Sequence, residues 1–132
     1  MAISKALRSI TGRQTTAGAA EETVLLSLDG SAPAALVAIP ADQEMIISDW
    51  TVTAEAAGRF RLQQTTDGVV FFDIYLLRVA TDGTVAVVGL STPLHIAGGP
   101  TTAIRIRVET PAGASAVMTS LRAYTDPNTF SS

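Results

Sequence analysis

The chain contains no cysteine, so it can build neither disulfides nor thiolate metal sites, an absence that fits a reducing compartment. It has one histidine, His95, and one side chain of that kind cannot form a common zinc site. Charged residues make up only 16% of the chain, where a soluble domain carries about 25%. Aromatics are scarce at 5%, and the only lysine is Lys5, the other basic residues being arginine. No apolar run approaches the ~20 residues that span a bilayer, and no apolar stretch follows the basic N-terminal residues as it would in a signal peptide. Neither a membrane partner nor a secretory leader is expected.

What is present is 47% hydrophobic, with a mean hydropathy of +0.33. With 132 residues the chain is expected to be one domain, long enough to bury roughly two-thirds of its unfolded surface. Low charge and high apolar content together suggest that part of the surface is covered by other copies or by a partner.

The charge is divided unevenly. Residues 1–20 hold Lys5, Arg8 and Arg13 and no acid, leaving six basic residues against twelve acids in the rest of the chain. An acidic body argues against a nucleic-acid partner. Residues 1–21 read as an extended or flexible N-terminal arm, and residues 22–132 as the folded domain. Ile3, Leu7 and Ile10 are spaced as on one short helix, which Thr11-Gly12 would end. Such an arm is either a solvated tail or a docking segment ordered by a partner. On either reading its removal should leave the fold intact.

From Thr23 onward the pattern alternates with period two. Strands are expected over Thr23–Leu28, Ala35–Ile39, Met45–Ala54, Arg59–Thr65, Val69–Val79, Thr84–Leu90, Pro93–Ile96, Thr102–Thr110 and Ser115–Tyr124. The breaks are Asp-Gly, Pro and Gly-Gly-Pro sequences, and Asp67-Gly68 is a strong hairpin signal. Short strands at intervals of roughly 8 to 12 residues predict an all-β, two-sheet antiparallel sandwich, a jelly roll of about eight strands, with an immunoglobulin-like sandwich as its rival.

Chemistry is sparse. Three aspartates, Asp29, Asp67 and Asp82, stand in Asp-Gly turns, where they shape backbone. Asp49 and Asp73 fall within apolar strands and are expected to face outward. His95 reads as a half-buried strand residue. Gly98-Gly99-Pro100 lacks the phosphate-loop pattern and reads as a loop. The aromatics, Trp50 and Tyr124 among them, are expected in the core. No catalytic residue, metal ligand or cofactor site is expected, so the chain is read as a non-enzyme. Arg59 and Arg61, and Arg105 and Arg107, form two i, i+2 pairs. Each pair is either a docking surface for acidic groups or an outer face paired with Glu109 and its neighbours. With Ile3, Lys5, Leu7, Arg8, Ile10 and Arg13 of the arm, these four are the candidate interface residues.

The stretch from Phe60 to Ile74, a strand-DG-strand hairpin, resembles hairpins of small virion proteins of tailed bacteriophages. The Gly98-Gly99 loop and the Ile104-Arg105-Ile106-Arg107-Val108 strand are similar in kind. Those proteins include jelly-roll capsid decoration (cement) proteins, which are often trimers with N-terminal arms. The resemblance implies a structural protein on the capsid surface of a virion, with the major capsid protein or another virion protein and its own copies as partners. The alternative is a carbohydrate- or receptor-binding sandwich of a phage tail or bacterial surface, which would display exposed aromatics or a calcium site.

Overall fold

Alternating apolar and polar residues let a strand bury one face and leave the other outside. The computed structural model describes residues 6–18, 20–80, 83–87 and 94–127, and these form eleven strands and no helix. The strands are β1 (Ala6–Thr15), β2 (Glu22–Val24), β3 (Leu26–Leu28), β4 (Val37–Ala38), β5 (Gln43–Ala54), β6 (Gly58–Thr65), β7 (Phe71–Val79), β8 (Gly83–Val87), β9 (Leu94–Ala97), β10 (Ala103–Glu109) and β11 (Ala116–Pro127).

They make two antiparallel sheets in a sandwich. The first runs β3-β1-β11-β5, and β8 and β9 share the far side of β5, against Trp50–Ala54 and Glu44–Ile47 respectively. The second runs β10-β6-β7, with β2 and β4 end to end on the other side of β10. The pairing is nested: β1 with β11, β2 and β4 with β10, β5 with β8 and β9, β6 with β7. This is jelly-roll order. The stretch expected as one strand over Thr23–Leu28 is split at Leu25, with β2 in the second sheet and β3 in the first.

The core lies between the sheets. Ile10, Met45, Ile47, Trp50, Val52 and Leu121 of the first sheet face Val24, Phe60, Leu62, Ile104, Ile106 and Val108 of the second. Trp50 meets the Tyr75 ring edge-on across the sandwich, with centroids 6.2 Å apart, and its indole N–H donates to Thr119 Oγ1 at 2.7 Å. The expected burial of Trp50 is therefore observed, and its polar atom is satisfied. Phe72 departs from the expected core placement and is exposed, because it lies at the tip end of β7, the outermost strand of its sheet.

The helix expected over Ile3, Leu7 and Ile10 is also corrected. Ala6–Thr15 is β1, paired along its whole length with β11 and, at Ile10–Gly12, with β3. Three apolar residues bury too little to hold a short helix, whereas Ile10 and the flanking serine and threonines suit a pleated, half-buried strand. Gly12 does not stop a helix. It stands mid-strand where the Leu25 carbonyl and the Val24 side chain would lie 2.8 Å from any Cβ, so only glycine admits so close an approach. Beyond β1, the Thr16 and Thr110 hydroxyls meet at 2.6 Å in a buried contact. Removing residues 1–20 would therefore take a paired strand and a core residue from the sandwich, contrary to the expectation that the fold would survive it.

Candidate functional site

The outer face of the second sheet gathers most of the body's arginines. Register puts Arg107 opposite Arg61, Arg105 opposite Gln63 and Glu109 opposite Arg59. On the other side of β6, Asp73 stands opposite Gln63 and Arg78 opposite Arg59. Like charges directly across a sheet repel, so each such pair needs a counter-ion.

For Arg61 and Arg107 that counter-ion is Glu21, one residue before β2. Its carboxylate accepts from Arg61 Nε at 2.7 Å, from Arg61 Nη2, and from Arg107 Nε at 3.3 Å. Arg107 also donates to Thr23 Oγ1 at 3.0 Å, and Arg61 Nη1 lies 3.2 Å from Asp73. From Asp73 the network continues through the Gln63 amide at 2.9 Å to Arg105 Nε, 2.8 Å from Gln63 Oε1. The Arg105 guanidinium stacks 3.5 Å from the centre of the Phe71 ring.

The ionisation states follow. The Arg61 hydrogen bond, opposed by burial and helped by the charges of Arg61 and Arg107, holds the Glu21 carboxyl below its ordinary range. The Gln63 hydrogen bond, with Arg61 behind it, does the same for Asp73. Glu21 in turn raises Arg61, while burial and then the nearby Arg107 lower Arg105. Both sequence readings of the arginine pairs thus have a physical basis: carboxylates partner Arg61, Arg107 and Arg59, yet the face carries five arginines against three acids.

At one end of the face the compensation is thinner. Arg59 has a single 3.3 Å contact with Glu109, and its Nε is buried without an acceptor. At the other end is the β6–β7 tip, where Val69 and Val70 are 80% and 62% exposed and Phe72 is exposed as well. The tip is not loose. Asp67 Oδ1 accepts the Val69 and Val70 N–H groups at 2.8 and 2.9 Å, Gly68 takes a φ of +81°, and Thr101 Oγ1 donates to the Thr66 carbonyl at 2.6 Å. The Val70 and Val69 amides keep the Asp67 carboxyl ionised below its usual range.

The candidates of the N-terminal segment do not form one surface. Ile3 and Lys5 lie outside the described residues. Leu7 is 84% exposed on the outer face of the first sheet, and Ile10 is wholly buried in the core. Arg8 pairs with Asp29 at 2.7 Å. Arg13 reaches Met118 Sδ beside a groove of about 580 Å³ that Leu25 and Pro33 also line.

His95 is exposed rather than half-buried, on a short strand at the edge of the first sheet, with Nδ1 2.8 Å from Glu44 Oε1. Asp73 faces outward as expected. Among the described residues no three His, Asp or Glu side chains converge as metal ligands would. Glu21 and Arg78 were missed by sequence reasoning. Glu21 acquires its role only from the β2–β10 register, whereas Arg78 stands between the apolar Leu77 and Val79 just as Arg61 stands between Phe60 and Leu62, a signal that was there to be read. No family model, curated protein or solved structure matches this chain.

Proposed function

We propose that this chain is a structural virion protein that decorates a phage capsid and stabilises it by bridging shell subunits. One observation carries the reading: large apolar side chains, Val69, Val70 and Phe72, are held out in the open by a hairpin tip whose backbone is locked by Asp67 and Thr101. Exposed apolar groups on rigid backbone suit a contact surface, because little ordering entropy is lost on docking. The arginine face beside the tip supplies groups that pair with acids on a neighbour. Assembly as a homotrimer would place three tips on one local three-fold of a shell, and multivalency would compound their modest individual affinities.

The test is co-sedimentation of the purified chain with undecorated tailed-phage shells, together with light scattering of the free protein. Wild type should sediment with the shells and raise their disruption temperature. Val70→Asp, at an exposed position, should keep the wild-type melting temperature and lose attachment. Failure of wild type to sediment, or equal attachment by the variant, would overturn the reading.

A further inference from the structure

Beside the end of β6 and β7 lies a cleft of about 340 Å³, lined by Arg59, Arg78 and Glu109 and walled by Ala57, Val79 and Pro111. We propose that it is a carboxylate-binding site, which takes the carboxylate of an acidic side chain or of a small organic acid. The inference stands on the cleft alone and does not depend on the virion reading.

Three observations lead to it. Arg59 and Arg78 are register partners on adjacent strands, so two guanidinium groups share one end of the sheet. At the Arg61–Arg107 crossing the same conflict is resolved by a shared carboxylate from Glu21, but among the described residues no carboxylate bridges Arg59 and Arg78. Glu109 touches Arg59 through one long bond, Arg59 Nε is buried without an acceptor, and Arg78 is exposed with no partner among the described residues. An anion placed between the two would do for this pair what Glu21 does for the other.

The lining selects the class of anion. Two arginines and one glutamate leave a single net positive charge, which matches a monoanion. A phosphate dianion would bring a second negative charge up to Glu109. Arginine's planar fork suits a carboxylate, and the apolar walls suit the methylene groups that carry one.

The experiment is an NMR titration of the full chain, following the Arg59 and Arg78 Nε–H resonances. The probes are acetate, a glutamate-containing peptide with both ends blocked, and inorganic phosphate. Acetate and the peptide should both shift the two resonances. Arg78→Gln should weaken carboxylate binding about tenfold or more, as loss of a charge-assisted bond does. Arg13→Gln, on the other sheet, should leave it unchanged. Much tighter binding of the peptide would identify the source as an acidic protein partner, and equal binding of acetate would identify it as a small acid. Arg78→Gln should also melt at or above the wild-type temperature, since it removes a repulsion. Tighter binding of phosphate than of either carboxylate, undiminished binding by Arg78→Gln, or a lowered melting temperature in that variant would overturn the proposal.

Discussion

Glu21 keeps two facing arginines together, and that role has a pH signature. Its folded-state pKa lies below the ordinary 4.5, so the stability it contributes is complete above that pH and is lost as the pH falls through the folded-state value. Glu21→Gln should cost about 1–3 kcal/mol at neutral pH, because it leaves two half-buried guanidinium groups without their shared acceptor. The gap between variant and wild type should close as the pH drops below 4.5, which denaturant titrations at a series of pH values would read directly. Gly98 makes a different prediction. A Cβ there would stand 1.7 Å from the Pro40 carbonyl oxygen, so Gly98→Ala must push two backbone segments apart, at a cost of about 1–3 kcal/mol or more in chemical denaturation. The sequence showed Gly98-Gly99 as a chain break, but a clash with a residue 58 positions away becomes visible only when the chain has folded. The outward placement of Arg59, Arg61, Arg105 and Arg107 was legible from alternation. Their counter-ions were less so, because only Glu109 lies in the same alternating run.

At the scale of single elements, β1 shows where reading by spacing fails. Apolar residues at 3, 7 and 10 fit a helical period, but the segment's partners lie at residues 116–125, and no local signal announces a pairing so distant. The alternation of β1 now separates two substitutions on the same strand. Ile10→Asp should unfold the domain by burying an unpaired charge, whereas Leu7→Asp, on the exposed face, should leave the melting temperature nearly unchanged. Equal melting of the two variants would contradict the register. The β6–β7 hairpin was legible from Asp67-Gly68, but its register was not. A two-residue turn would set Thr66 against Val69 and hence Arg59 against Leu76. Instead Thr65 pairs with Phe71, and an extra residue at Ile74 shifts the ladder again, so that Arg59 meets Arg78. The cleft that we assign to carboxylates exists because of that bulge.

For the whole molecule, alternation and turn spacing were enough to read a two-sheet sandwich, because a sheet's apolar face must be covered and no helical pattern between the strands was there to cover it. The nested order follows from which strands pair, and that is settled by packing across the entire chain. Nesting predicts how the protein folds. Its contacts are mostly between distant segments, so refolding should be slow for its size, on a scale of about milliseconds to seconds. Trp50 is the only tryptophan and touches both sheets. Its fluorescence and the far-ultraviolet circular dichroism should therefore report one coincident unfolding transition. An earlier fluorescence change would mean that the sheets separate before they melt. The same nesting bears on synthesis. β1 leaves the ribosome first, but the strand that covers it, β11, is made about a hundred residues later. At roughly 5–20 residues per second, β1 must wait for some 5–20 seconds without its main partner. An unpaired apolar strand would be a seed for aggregation over such an interval. In β1 the like charges of Arg8 and Arg13, the hydroxyl-bearing residues around them and Gly12 in their midst make a composition that lowers a strand's tendency to aggregate over such an interval.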